Sequence, residues 1–128
     1  MIRKTSTPLP EVCTRLPDCA TKHQFGVLGV HDLKEKMLSK GVPFERECRV
    51  FEVCNPQQAQ KILNGDITVS AALPCRISVY AEAGQTVLAS IDPTALLGLF
   101  SPASAESETI SDEVRTSLLA IMDDVCAT

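Results

Sequence analysis

Residues 46–65 read Arg-Glu-Cys-Arg-Val-Phe-Glu-Val-Cys-Asn-Pro-Gln-Gln-Ala-Gln-Lys-Ile-Leu-Asn-Gly, and within them one periodicity gives way to another. Up to Cys54 the side chains alternate, with Phe51 and Val53 on one face and Cys48, Val50 and Cys54 on the other, as in a half-buried strand. At Asn55 the pattern becomes helical. Asn55 is a good N-cap, Pro56 suits the first helical position because its missing N–H is not needed there, and Gln58 can reach back as the capping partner. Ala59, Ile62 and Leu63 then turn inward until Asn64-Gly65 ends the helix.

Outward from this strand–helix unit the chain continues in short elements. Upstream, Phe25–Val30 is an apolar strand, and Asp32 with Glu35 three residues on forms a capping box for a helix running to Lys40 and stopping at Gly41. Further upstream, the first nine residues read as a tail or an edge segment. Pro10–His23 carries Val12, Leu16 and Ala20 on one helical stripe, which Pro17 is expected to break or kink. This divides the chain into a variable N-terminal segment, 1–24, and a single domain, 25–128.

Downstream, Asp66–Leu73 reads as a loop with modest β character. Cys75–Ala81 and Gln85–Ile91 form a hairpin around Glu82-Ala83-Gly84, and Asp92-Pro93 starts a helical turn carrying Leu96, Leu97 and Phe100. Ser101–Thr109 is a polar, acidic connection. Ser111 then caps a last helix with Val114, Leu118, Ile121 and Val125 on one stripe. The simplest architecture for this order is α+β, a mostly antiparallel sheet with helices packed on one face.

Composition narrows the function. The 128 residues carry a net charge of −4 with no basic cluster beyond Arg46 and Arg49, which argues against nucleic acid, where affinity is built on phosphate neutralisation. Four Phe, one Tyr and no Trp offer few stacking platforms. No segment approaches the ~20 apolar residues of a membrane span, and the start has no apolar core of a secretory signal, so a soluble, cytoplasmic protein without membrane contact is expected. The six cysteines, at 13, 19, 48, 54, 75 and 126, include no Cys-x-x-Cys. Neither a zinc knuckle nor a disulfide framework suits that spacing and compartment, and most are expected to be small core residues.

From Phe25 onward the chain resembles the domain-of-unknown-function 302 family of bacteria and archaea. The resemblance rests on Asp32-Leu33 with Lys40-Gly41, on Val53-Cys54-Asn55-Pro56 with Ala59 and Leu63, on Leu73-Pro74-Cys75, and on Ile91-Asp92-Pro93 before Leu96-Leu97. It covers about three quarters of the chain and implies a TATA-binding-protein-like α+β fold, often dimeric, without an established activity. Such proteins usually begin with a strand and an uninterrupted helix. With Pro8, Pro10 and Pro17 here, the first strand is expected to be missing, leaving a sheet edge that a homodimer could pair.

Cys54 leads the candidate site residues. It stands just before a capped helix N-terminus, where free N–H groups and the helix dipole would favour the nucleophilic, metal-binding thiolate; the plain alternative is a small side chain filling the strand–helix junction. Cys75 begins the next strand after Pro74. If the two strands are antiparallel neighbours, both thiols share one rim of the sheet and could hold a ligand, a soft metal such as copper(I) or zinc, or a reversible disulfide. Asn55 could add its amide to a ligand site. His31 or Cys48 would be needed as a third metal ligand, and both His23 and His31 lack a partner at chelating spacing. Asp92-Pro93 reads as a turn, and the acidic residues Glu106, Glu108, Asp112, Glu113, Asp123 and Asp124 as a solvated face. Three readings result: a dimeric module binding a small ligand or soft metal through Cys54, Asn55 and Cys75; a thiol redox protein with Cys54 as nucleophile and Cys75 as resolving thiol; or a non-catalytic interaction protein with packing cysteines.

Overall fold

The computed structural model of the chain describes residues 1–100 and 104–127. Its elements are β1 (Ile2–Thr5), α1 (Leu9–Lys22), β2 (Gly26–Asp32), α2 (Leu33–Ser39), β3 (Cys48–Cys54), α3 (Pro56–Gly65), a short 3-10 helix (Ile67–Ala72), β4 (Cys75–Glu82), β5 (Gln85–Ala89), α4 (Pro93–Leu97) and α5 (Ala105–Cys126). The five strands form one antiparallel sheet in the order β1-β5-β4-β3-β2. The fold is α+β, as expected.

Alternation along the strands decides which face is covered. Phe51 and Val53 of β3, Ile77 and Val79 of β4 and Leu88 of β5 all point to one side and are buried. Against them pack Val12, Leu16 and Ala20 of α1, Ile62 of α3, and Val114, Leu118, Ile121 and Val125 of α5, so the stripes read from sequence become the helical layer. Each fully buried aliphatic side chain contributes about 1.5–3 kcal/mol. The other face of the sheet leaves Val50, Ser78 and Tyr80 only half-buried.

The N-terminus differs from the sequence reading. The first strand is present: β1 pairs with β5 from Ile2↔Ala89 to Thr5↔Thr86, and the Met1 ammonium donates to the Ser90 carbonyl at 2.8 Å. Helix α1 runs unbroken through Pro17. An internal proline costs ~3 kcal/mol, but Val12, Leu16, Cys19 and Ala20 on the same helix are buried between the sheet and α5, and their packing exceeds that penalty. Residues 1–24 therefore belong to the same sheet and core as the rest. The helix ends on Gln24 at φ 63°, where Phe25 N–H reaches Ala20 O and Gln24 N–H reaches Thr21 O, a Schellman closure that buries Phe25.

Two further elements depart from expectation. Residues 67–72 coil into the 3-10 helix because Asp66 caps it, accepting from Thr68 N at 3.0 Å and Thr68 Oγ1 at 2.5 Å. Helix α5 begins at Ala105 rather than after Ser111. Ser104 is its N-cap, accepting from Ser107 N at 3.1 Å, and Glu106 and Glu108 sit favourably in the first turn. Ser111 is buried inside that helix, its hydroxyl donating back to Glu108 O. Ser101, Pro102 and Ala103 of the expected polar connection lie outside the described residues. The β4–β5 hairpin turns on Ala83 (φ 50°) and Gly84 (φ 77°), the paired left-handed residues of a two-residue turn.

Candidate functional site

Strands β3 and β4 are antiparallel neighbours with Val53 opposite Cys75, so Cys54 at the end of one and Cys75 at the start of the other share a rim of the sheet. Strand β5 ends at the same rim and leads into α4. The Leu73–Pro74 peptide that introduces Cys75 is cis.

Helix α3 starts at this rim as its sequence dictates. Asn55 Oδ1 accepts from Gln57 N and Gln58 N, both at 3.1 Å, with Pro56 at the first helical position. The expected return bond from Gln58 is not made. Its Nε2 instead donates to Glu113 Oε2 of α5 at 3.3 Å, while Oε1 is enclosed without a partner among the described residues.

This arrangement reverses the expected thiolate at Cys54. The Asn55 side chain already occupies two of the N–H groups that would have stabilised an anion, and burial pushes the Cys54 thiol up. Cys75 is pushed up further, to about 11, first by burial and then by the neighbouring charge that an ionised Cys54 would carry. Both are neutral thiols at neutral pH, poor as nucleophiles and costly to ionise.

Together the three rim residues Cys54, Asn55 and Cys75 line one crevice of about 40 Å³. Its other walls come from Gln58, Ala59 and Ile62 of α3, Val69 and Ala72 of the 3-10 helix, Pro93, Leu96 and Leu97 of α4, and Ser111 and Val114 of α5. Nearly all of this surface is carbon and sulfur. A void of that size holds a water or the tip of a larger molecule. It shares Ile62, Val69 and Leu97 with a second, wider groove of about 490 Å³, floored also by Phe100 and Ile110 and edged by Lys61, Asp66, Ser104, Glu106 and Ser107. The groove falls in the ordinary range for small-molecule sites.

The metal candidates do not converge. His31 sits towards the far end of β2, paired across to Val50, with Nε2 2.6 Å from Glu52 Oε1 and Nδ1 in contact with Lys36 Nζ. Cys48 is at the opposite end of β3 from Cys54, six residues or roughly 20 Å along the strand, and its sulfur faces Ser78 Oγ at 3.9 Å. His23 pairs with Asp124 at 2.6 Å. Among the described residues no group of three His, Cys, Asp or Glu is placed to hold a metal ion. All six cysteines are free. The acidic residues of α5 are exposed, with Asp123 paired to Arg3 and Asp124 to His23.

Sequence reasoning missed most of the walls. Pro93, read as part of a plain turn, and Ser111, read as a cap, both line the crevice. The one signal that could have found Pro93 is the repeated Asx-Pro at the ends of two strands that run in the same direction; Ser111 carries none. Val69 and Leu97 carry no such mark.

No helix among the described residues is long and apolar enough to cross a membrane. Among solved structures, the chain is similar to the crystal structure of an uncharacterized conserved protein DUF302 from Bacillus stearothermophilus, at 32% identity and a TM-score of 0.90, covering 99% of this chain and 97% of that one. No curated protein matches. Residues 1–125 match the family described as Domain of unknown function DUF302, and with the antiparallel sheet, the capped β3–α3 junction and that neighbour in agreement, the chain belongs to this family.

Proposed function

We propose that this protein is a binding module for a small, mainly apolar organic ligand, taken into the groove beside α3 with its tip in the crevice between Cys54, Asn55 and Cys75. The observation that carries the reading is the near-absence of polar surface in that crevice, next to a groove large enough for a ligand's body. The thiols serve as neutral, polarisable walls, in keeping with their raised titration. The test is to titrate the native protein with hexanol and follow side-chain methyl resonances by NMR. Shifts at Ile62, Val69 and Leu97, with slower alkylation of Cys54, are expected; no shift at millimolar ligand would sink the reading.

A second reading, thiol exchange, is favoured by the two thiols sharing one crevice. Cys54 and Cys75 would reduce a low-molecular-weight disulfide to two thiols, giving it two electrons and two protons and forming one bond between themselves. Incubation with oxidised glutathione and then mass spectrometry separates the two: a Cys54–Cys75 crosslink supports exchange, and its absence leaves ligand binding. The homodimer is proposed on the family resemblance and on the edge strand β2, which exposes Leu28 and Val30. Light scattering of the purified chain tests it, and a monomer mass at high concentration would rule it out.

A further inference from the structure

The crevice by itself is too small for the body of a ligand, and α4 forms one side of it through Pro93, Leu96 and Leu97. Leu97 also borders the groove of about 490 Å³. Pro93 and Leu96, with Ala72 and Cys75, border a third groove of about 320 Å³. The crevice thus lies between two larger spaces, and the same five-residue helix helps to divide it from each. The attachment of that helix is thin. The chain is still tied down at Ser90, whose N–H donates to Met1 O at 3.0 Å and whose hydroxyl donates to Arg76 O at 2.7 Å. From Ile91 to Phe100, every hydrogen bond among the described residues stays within the segment, with one exception. Arg115 Nε of α5 donates to Asp92 Oδ2 at 3.0 Å. Apolar anchoring is modest: Pro93 is the one buried residue of α4, and Ile91 and Leu99 on either side are 68% and 80% exposed. Segments with so few buried contacts open at a fraction of the global unfolding free energy.

We infer that α4 is a lid, hinged at residues 91–92 and latched by Arg115, whose opening joins the crevice to the grooves on either side. This goes beyond the ligand-binding reading, because the lid controls access to Cys54 and Cys75 whatever enters. The latch is a single charge-assisted bond between half-exposed side chains, at 45% for Arg115 and 31% for Asp92, so it holds the lid by a small margin. A weak latch suits a gate. It keeps water from the two thiols in the resting protein and is released without disturbing the sheet, since nothing beyond Ser90 in this segment is bonded to a strand.

The experiment needs no ligand, which separates it from the hexanol titration. Alkylation of Cys54 and Cys75 by iodoacetamide is timed by mass spectrometry on the full chain, in wild type and two variants. Arg115→Met keeps the aliphatic stem and removes the latch. Arg3→Met breaks a different ion pair of α5, Arg3 with Asp123 near the other end of that helix. Arg115→Met should react about threefold to fivefold faster at both thiols, the worth of one exposed charged bond. The amides of Leu96 and Gly98 should exchange hydrogen faster in step, and those of Ile77 and Val79 in β4 should not. Arg3→Met should behave as wild type. Equal thiol rates in Arg115→Met and wild type overturn the lid. An acceleration shared by Arg3→Met or by the β4 amides overturns it too, because the whole fold has then loosened. If Arg115→Met does not fold, Asp92→Asn decides the question: it keeps a good N-cap, loses the charge, and should speed both thiols in the same direction.

Discussion

Asn55-Pro56 and Asp92-Pro93 are the same local device used twice at one rim. Strands β3 and β5 are each antiparallel to β4 and so run in the same direction, which sets both caps at the same end of the sheet. Asn55 is neutral and places its oxygen on two backbone N–H groups. Asp92 accepts from Thr94 N at 2.9 Å and Thr94 Oγ1 at 2.7 Å, and its other oxygen meets Arg115 Nε of α5 at 3.0 Å. The helices that these caps begin differ more. Helix α3 runs ten residues and carries Ile62 into the core. Helix α4 runs five, and its Leu96 and Leu97 stay half-buried over the crevice. The same Asx-Pro pattern thus begins a structural member in one case and a cover, tied down by a charged pair, in the other.

The largest expected difference is in the walls that the two helices supply. Ile62→Ala should cost about 3 kcal/mol in urea unfolding, because a buried side chain leaves a cavity, whereas half-exposed Leu97→Ala should cost about 1 kcal/mol. Equal losses would mean that α4 is as much a part of the core as α3.

The caps come next. Asp92→Ala should lose about 2 kcal/mol near neutral pH, since cap and ion pair go together, and Asn55→Ala about 1 kcal/mol. Their pH dependence separates them further. The Thr94 hydroxyl, then the backbone N–H and Arg115, hold Asp92 below the usual carboxylate range. A lowered folded value means that its contribution is present above the unfolded value of about 3.9 and is lost as pH falls through the folded one. The penalty of Asp92→Ala should therefore shrink on acidification below that point, and the penalty of Asn55→Ala should not. Parallel curves would remove the charge distinction between the junctions.

The smallest effect in stability, though readily measured as a rate, concerns the two thiols. Burial raises both, Cys75 the more, so alkylation by iodoacetamide near neutral pH should be slow at Cys54 and slower at Cys75. Neutral Cys75 stabilises the fold at every pH below the ordinary thiol value, and this contribution is lost as pH rises towards about 11. Fast, selective reaction of Cys54 near neutral pH would restore the thiolate that its position before a helix first suggested.

Much of the fold could be read residue by residue. The Asn55 cap at the β3–α3 junction, the Asp32 cap with its helix ending before Gly41, and the β4–β5 hairpin all depend on neighbours within a few positions, and all are found, though Gln58 does not close the capping box and β5 ends at Ala89. The failures have a common cause. The sequence reading breaks α1 at Pro17 and omits the strand β1 because local propensity opposes both, and what overrides it is burial against α5 and pairing with β5, more than 60 residues away in sequence. The start of α5 is unmarked in the sequence because its first turns, Ala105–Thr109, bury no apolar residue and show no stripe. In the candidate site, Cys54, Asn55 and Cys75 stood out by their place at strand ends, and the structure brings them to one crevice. The sign of the thiol shift was not legible, because desolvation depends on what covers a sulfur and not on its neighbours along the chain.

By itself, then, the sequence determined the local grammar: which stretches alternate, where helices are capped, and that Asx-Pro closes two strands. These are choices among a few backbone conformations, made by neighbouring side chains and indifferent to the rest of the chain. The tertiary structure alone decided that the two closures stand side by side, that α4 and α5 roof the thiols and keep them neutral, and that Glu113 turns the Gln58 amide so that its oxygen is left enclosed. Burial and charge are properties of distance in space, and only the closed sheet with its helical layer sets those distances.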